Sequence, residues 1–425
     1  MVKVRFTTQG CSSNVRESEI MVGLLSNSGC SITDEKKEAD VNVVNICTVK
    51  GNRKALREIK RVKSEFPDSK IVVAGCITES IISQIKNIDE NASLVNTHNL
   101  GKISSVVENS INGIPLEFTG KNYEEKVNLP SIRKNPVVGI VPILNGCNYY
   151  CTFCSTKIVK GKLFSYSMDS IRNDVKSHLK SGCREIWITS NDTGAYMVEQ
   201  GGRQKLPELL EQVLSIPIDF KLRVGMMNPG NTLAIIDKLI KIYKHQKMFK
   251  FLHIPVQSGN NDILNLMNRK YTAEQFMEVV EAFRKEMPEI TISTDMIIGF
   301  PSETESQFND SLNLIKNARP DVLNISRYSA REGTSAAKMK QIIPSILKER
   351  SNIMTNNFKK LALENNRKWI GWEGRALVDD VGRKNSFVAR NYCYKPIILR
   401  GKFNLGDSVD VKISDATCFD LRAEI

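Results

Sequence analysis

Three cysteines stand in the short run Cys147-Asn148-Tyr149-Tyr150-Cys151-Thr152-Phe153-Cys154. Three thiolates on one loop can hold three irons of a [4Fe–4S] cluster. The fourth iron is then open to a chelating small molecule, whereas four thiolates would make a closed electron carrier. A zinc knuckle is the competing reading, but structural zinc asks for a fourth Cys or His nearby. None follows until His178. Three further cysteines, Cys11, Cys47 and Cys76, each lie just past an apolar, strand-like run. Side chains leaving neighbouring strand ends, about 4.8 Å apart, can converge on a second small cluster. Cys30, Cys183, Cys393 and Cys418 read as packing residues.

These cysteines need a scaffold. Residues 1–115 alternate strand and helix, with strands at 2–7, 41–46 and 71–74 and a basic amphipathic helix at 53–66 that Pro67 stops. Repeated βα units imply a doubly wound parallel sheet, whose carboxyl edge is where ligands bind. Residues 116–132 lack a period and read as a linker. Residues 133–363 repeat the βα pattern six times, with strands at 137–143, 185–189, 222–226, 249–255, 290–298 and 322–328. A closed barrel needs eight such units, and periodicity alone does not separate a partial barrel from an open sheet. A helix at 346–369 leads into short, glycine-punctuated strands. Residues 364–425 are therefore expected to form a small all-β barrel. The expected class is α/β with that barrel appended.

Composition narrows the field. The chain has 425 residues, 41% hydrophobic and 25% charged, which excludes disordered, collagenous and small disulfide-scaffold classes. No apolar run approaches the roughly 20 residues of a membrane helix. The first residues alternate like a strand and lack a secretory apolar core, so the cytoplasm is the expected compartment and the cysteines are expected to be reduced. Sixty Lys and Arg against 47 Asp and Glu give a net charge of +13. That balance suits a nucleic-acid partner and suits a lysine-rich enzyme surface equally well.

The CxxxCxxC loop, with Phe153 before its last cysteine, resembles the radical S-adenosylmethionine (SAM) superfamily. That resemblance, not periodicity, selects the partial (β/α)6 barrel. Thr8-Gln9-Gly10-Cys11 with Asn14, Val44-Asn45-Ile46-Cys47-Thr48-Val49 and Val73-Ala74-Gly75-Cys76 resemble the N-terminal domain of its methylthiotransferases. Phe251-Leu252-His253-Ile254-Pro255-Val256-Gln257-Ser258-Gly259, residues 264–269, Asp295-Met296-Ile297-Ile298-Gly299-Phe300-Pro301 and Tyr328-Ser329-Ala330-Arg331-Glu332-Gly333-Thr334 agree. The last segment, with Gly382 and Arg390-Asn391, resembles the family's RNA-binding TRAM barrel. Glu185-Ile186-Trp187-Ile188-Thr189-Ser190-Asn191-Asp192-Thr193-Gly194-Ala195-Tyr196 points to the archaeal and eukaryotic branch, as do Cys154-Ser155-Thr156-Lys157 and residues 222–229.

What the resemblance implies is specific. The branch methylthiolates N6-threonylcarbamoyladenosine (t6A) at position 37 of tRNA. C2 of adenine is an unactivated C–H position, so a radical route is required. Cys147, Cys151 and Cys154 would hold the cluster that chelates SAM and cleaves it to a 5′-deoxyadenosyl radical. Cys11, Cys47 and Cys76 would hold a second [4Fe–4S] cluster carrying the sulfur, and a second SAM would supply the methyl group. Phe153, Asn191, Asp192, Thr193, Gln257, Ser258, Gly299 and Pro301 are expected around SAM, and Arg383, Lys384 and Arg390 on the RNA. The tRNA anticodon loop and a reductant such as ferredoxin or flavodoxin are the expected partners of a monomer. The rivals are sister enzymes acting on isopentenyladenosine or on a ribosomal-protein aspartate. A non-catalytic iron–sulfur electron carrier or RNA-binding protein is the rival of another class. Two positions depart from the family pattern: Lys160 stands where Arg is usual and Ser302 where Gly is usual. Both are expected near SAM or substrate.

Overall fold

The computed structural model describes residues 1–35 and 39–424. Its first unit is a six-stranded parallel sheet of order β2-β1-β3-β4-β5-β6. The strands are β1 (Lys3–Thr8), β2 (Ser31–Ile32), β3 (Val41–Cys47), β4 (Lys70–Cys76), β5 (Ser93–Asn96) and β6 (Glu117–Phe118). Helices α1 (Ser12–Asn27) and α4 (Ile103–Ile111) cover one face; α2 (Asn52–Glu65) and α3 (Glu79–Lys86) cover the other. β3 is buried along its whole length, so it reads as a continuous rather than alternating apolar run. β6 pairs with β5, which carries the sheet past the expected edge at 115.

The second unit holds six parallel strands: β7 (Val138–Pro142), then β10 (Glu185–Thr189), β11 (Lys221–Val224), β12 (Phe251–His253), β13 (Thr291–Ile298) and β14 (Val322–Arg327). Between β7 and β10 a short antiparallel pair, β8 (Leu144–Asn145) and β9 (Phe164–Ser165), brackets the cysteine loop. The sheets β11-β10-β7 and β12-β13-β14 are joined by a parallel bridge from Leu222 to Met248. The strands thus follow chain order around an open arc, with β7 and β14 at its edges. The expected partial barrel is therefore the observed one. Outside it lie α6 (Met168–Lys180), α7 (Leu206–Leu214), α8 (Pro229–Leu233), α9 (Ile236–Tyr243), α10 (Asn261–Leu266), α11 (Ala273–Glu286) and α12 (Glu305–Ala318), while α5 (Thr156–Lys160) follows the cysteine loop. One apolar core fills the barrel and the layer beneath its helices.

Helix α13 (Pro344–Arg367) has 24 residues and is about 36 Å long. It runs from Gly299, at the carboxyl end of the barrel strands, to the last unit. That unit is a closed barrel of order β15-β16-β17-β19-β18. Its strands are β15 (Glu373–Val381), β16 (Ser386–Arg390), β17 (Pro396–Arg400), β18 (Ser408–Ala416) and β19 (Leu421–Glu424), the last not foreseen. It docks on the amino ends of the central strands. Lys250 donates its amide to the Tyr392 carbonyl at 2.8 Å, and Lys395 Nζ reaches Asp321 Oδ1 at 2.6 Å. Arg223 lies 4.7 to 5.0 Å from the ring centres of Trp187, Phe251 and Tyr394, a cation enclosed by aromatic faces at the base of the barrel.

Candidate active site

Cys47 and Cys76 end adjacent strands and stand opposite each other in register. Cys11 leaves the end of β1 just before α1. Asn14 joins the three strand ends. Its Oδ1 accepts from Cys11, amide at 3.3 Å and thiol at 3.6 Å, while its Nδ2 lies 3.8 Å from Cys76 Sγ. Asn45 fixes α1 by donating to the Asn14 carbonyl and Ser18 Oγ, both at 2.8 Å. The glycines before Cys11 and Cys76 follow from this crowding. Gly10 (φ +142°) and Gly75 (φ +98°) adopt conformations that disfavour side chains, and a Cβ at either would fall 2.1 Å from an asparagine oxygen. The hydrogen bond with Cys47 and burial hold the Cys76 thiol well above its ordinary value.

On the other loop each sulfur faces one N–H donor. Cys147 Sγ accepts from the Tyr149 amide at 3.4 Å, Cys154 Sγ from the Thr156 amide at 3.4 Å, and Cys151 Sγ from Arg269 Nη1 at 3.3 Å. Such donors are what cluster thiolates require. Burial pushes Cys147 up to about 12, so a thiolate there needs a cation beside it rather than serving as a free nucleophile. Among the described residues no three Cys, His, Asp or Glu side chains surround a single-ion position. A polynuclear cluster, in which each thiolate takes a different iron, does not ask for one. His178, the nearest candidate for a fourth zinc ligand, is engaged with Asp174 and Arg133 instead. The donor set fits an iron–sulfur cluster, and the buried Ser155 hydroxyl beside Cys154 has no protein partner.

The two trios meet at one cavity of about 830 Å³, in the upper range of small-molecule pockets. Cys11 and Cys154 both line it, as do His253, Gln257 and Asp295 from the barrel. Asp295 Oδ1 lies 3.2 Å from His253 Nε2 and accepts from Asn324 at 2.6 Å.

A buried charge cluster ties the two units together behind the first trio. Glu17 Oε1 accepts from Lys160 at 2.7 Å and from Lys126 at 2.9 Å, and both lysines also donate to Thr97 Oγ1. Burial pushes Glu17 up, but the two lysines outweigh it and hold the carboxyl down at about 2. Burial also disfavours the Lys160 ammonium, but Cys76 and Glu17 outweigh it and keep the group charged. Lys160 therefore serves the Cys76 side of the site. Lys126 belongs to the expected linker, which is thus part of the interface. Ser302 lies at φ +69° in the turn before α12. Its departure from glycine is accommodated in that turn, outside the cavity lining.

The residues expected around SAM divide. Phe153 and Gln257 line the cavity. Asp192 lies behind the cysteine loop and is satisfied internally: it accepts from the Asn228 amide at 3.0 Å and from Asn231 at 2.8 Å, and Asn231 in turn accepts from Tyr149. Burial pushes it up to about 6. Thr193 donates to the carbonyls of Gly225 and Met226. Ser258 accepts from the Asn260 amide and faces Ser311. Gly299 is occupied by α13, since a Cβ there would meet Leu347 Cδ2 at 1.8 Å. Buried Pro301 and half-buried Asn191 are absent from the lining. Of the residues expected on RNA, Arg383 and Lys384 are exposed in the β15–β16 loop. Arg390 is not exposed with them; it turns inward, donates to Asp379 at 3.0 Å and stacks on Tyr394. Sequence reasoning gave no role to Arg269, Lys126 or Glu17, and quoted Arg331 without assigning it.

Three family descriptions match the chain in order: Uncharacterized protein family UPF0004 over residues 3–96, Radical SAM superfamily over 141–315 and TRAM domain over 367–425. A probable threonylcarbamoyladenosine tRNA methylthiotransferase of Archaeoglobus fulgidus is 40% identical over 97% of this chain and 96% of its own. One of Pyrococcus horikoshii is 39% identical over 100% of both. The threonylcarbamoyladenosine tRNA methylthiotransferase of Homo sapiens is 33% identical over 97% of this chain and 72% of its own. Among solved structures, the radical SAM methyltransferase TsrM of Kitasatospora setae, with cobalamin and a [4Fe–4S] cluster bound, matches with a TM-score of 0.59 at 12% identity. It covers 79% of this chain and 77% of that one, a likeness of fold. The full-length identities say more than fold: the chain belongs to the threonylcarbamoyladenosine tRNA methylthiotransferases of the radical SAM superfamily.

Proposed function

We infer that this protein is the enzyme that converts t6A at position 37 of tRNA to 2-methylthio-t6A. The observation that carries the reading is the meeting of the two cysteine trios, through Cys11 and Cys154, at one cavity. Cys147, Cys151 and Cys154 are assigned to a [4Fe–4S] cluster with one iron open to SAM, and Cys11, Cys47 and Cys76 to a second cluster. When bound, these groups supply reductive SAM cleavage, the sulfur and, with a second SAM, the methyl group, which no protein side chain could supply at an aromatic C–H.

The chain's own residues do the rest. The Tyr149 and Thr156 amides and Arg269 stabilise negative charge on the three loop sulfurs. Asp192, through Asn231 and Tyr149, props the loop. Phe153, edge-on to Phe300, walls the cavity with an apolar face that excludes water. Lys126 and Lys160 against one Glu17 leave net positive charge behind Cys76, which suits an anionic cluster. Arg383 and Lys384 are assigned to tRNA phosphates. A cytoplasmic monomer that draws electrons from a ferredoxin- or flavodoxin-like protein completes the reading. Among the described residues no helix is long and apolar enough to cross a membrane.

The test is nucleoside mass spectrometry after anaerobically reconstituted enzyme meets SAM, reductant and t6A-containing tRNA. Gain of one methylthio group on t6A is expected. 5′-Deoxyadenosine without that gain would keep the radical chemistry and overturn the substrate.

A further inference from the structure

The cavity contains positive charge beside the cysteines, and Arg331 lies within electrostatic reach of Cys154 and Cys47. Lys54, Arg327 and Arg331 line it, against the single carboxylate of Asp295, which is already engaged with His253 and Asn324. Two of these cations are neighbours. Arg331 donates Nε to the Val49 carbonyl at 3.2 Å, which carries its guanidinium over Gly51. Its terminal atoms lie 3.6 to 3.8 Å from where a Gly51 Cβ would be. Gly51 precedes α2, and Lys54 stands in the first turn of that helix, which has no acidic residue. Arg331 therefore presents its planar terminal donors between the two trios, and Lys54 lines the same cavity. Neither Lys54 nor Arg327 has an acidic partner among the ion pairs of the described residues.

We propose that Arg331 and Lys54, with Arg327 at their edge, form the subsite for the carboxylate of the threonyl group on N6 of the target adenine. This rests on the t6A reading and deepens it. Most of the nucleoside is neutral, and its added group ends in one carboxylate. A guanidinium matches that group in shape and charge, and a nearby ammonium adds a point charge. A neutral substituent at N6 would leave the cations unpaired in the cavity, so the same residues would reject it. The cavity wall thereby selects the N6 group while the cysteines perform the chemistry common to all substrates.

RNA phosphates offer the rival partner for these cations, and the experiment separates the two. Binding of the reconstituted holoenzyme is measured with two transcripts of one tRNA, one carrying t6A37 and one with plain A37. The measurement is repeated for Lys54→Ala and Arg331→Gln, with the visible cluster absorbance verifying that each variant is loaded and folded. The expected result is that wild type favours the t6A form roughly tenfold and each variant erases most of that preference. An unchanged preference, with both tRNAs weakened equally, would make these residues phosphate ligands and overturn the proposal. No preference in wild type, with t6A still methylthiolated, would also overturn it. No preference together with no methylthio product on t6A would instead overturn the substrate reading itself.

Discussion

Replacing Glu17 by Gln removes the carboxylate shared by two buried lysines while preserving its shape. In the folded chain Glu17 ionises at about 2 instead of the ordinary 4.5. A gap of that size corresponds to about 3 kcal/mol of stability. The folded value is depressed, so this contribution is complete above pH 4.5 and drains away as pH falls toward 2. Glutamine deletes it at all pH values and strands two ammonium groups that are 6% and 11% exposed. Breaking a buried pair in this way costs about 3 to 5 kcal/mol. With a urea dependence of about 1 to 3 kcal/mol per molar, the unfolding midpoint of the first unit should fall by roughly 1 to 5 M. Hydrogen exchange of β1, β3 and β4 amides, followed across urea at pH 7, reads that unit directly. Adding Lys126→Met should recover a substantial part of the loss, because it removes one stranded charge. A midpoint shift under about 0.5 M, or a double variant no better than the single one, would refute the reasoning.

At the base of the barrel, burial and the neighbouring Asp379 push Glu185 up to about 7. Its folded value lies above its unfolded one, so its contribution is present below pH 4.5 and is lost as pH rises through 7. Glu185→Gln should therefore exceed wild type in stability at pH 8 by on the order of 2 kcal/mol, with the gap closing by pH 5, as read by thermal melts. Arg269→Met should make the cluster on the Cys147 loop harder to reduce, by on the order of 50 mV in an electron-paramagnetic-resonance titration, because a positive donor to Cys151 is removed. Gly75→Ala should cost the enzyme about half its iron and visible absorbance, since the new Cβ would meet Asn45. The Cys147 loop should still load. Arg383→Ala with Lys384→Ala should weaken tRNA binding irrespective of sequence and lower the salt slope by about 1 for each phosphate left without its cation.

The strand-end cysteines were legible because a parallel sheet leaves little choice. Runs as apolar as 41–46 must be buried strands, and residues just past their ends must share an edge. The six βα units were legible through repetition, with β10 recovered at its full span, but only the family resemblance selected the partial barrel over an open sheet. Short or late elements escaped: β5 has four residues, too few for a period, and β19 pairs in parallel with β17 across the barrel. Side chains that work across the chain escaped for another reason. Glu17, Lys126 and Lys160 come from three segments, and nothing in any one of them signals the others. At Gly299 a glycine admits close approach without naming what approaches; the Leu347 side chain of α13 comes nearest to where its Cβ would be. Arg390 was misjudged because a basic residue in an RNA-binding fold is counted outward by default, whereas Asp379 draws it inward.

On the proposed reading, the two ends of the molecule serve different parts of one tRNA. The cavity opens at the carboxyl ends of the barrel strands, the small barrel is fixed at their amino ends, and α13 spans the interval. An RNA that engages both is held bivalently, so its affinity is set by the product of two modest attachments and by the reach between them. A free nucleoside, or a stem too short to reach the small barrel, keeps only the first attachment and forgoes the second outright. On that reading, attachment at both ends would favour a whole tRNA over its fragments without reading any further base.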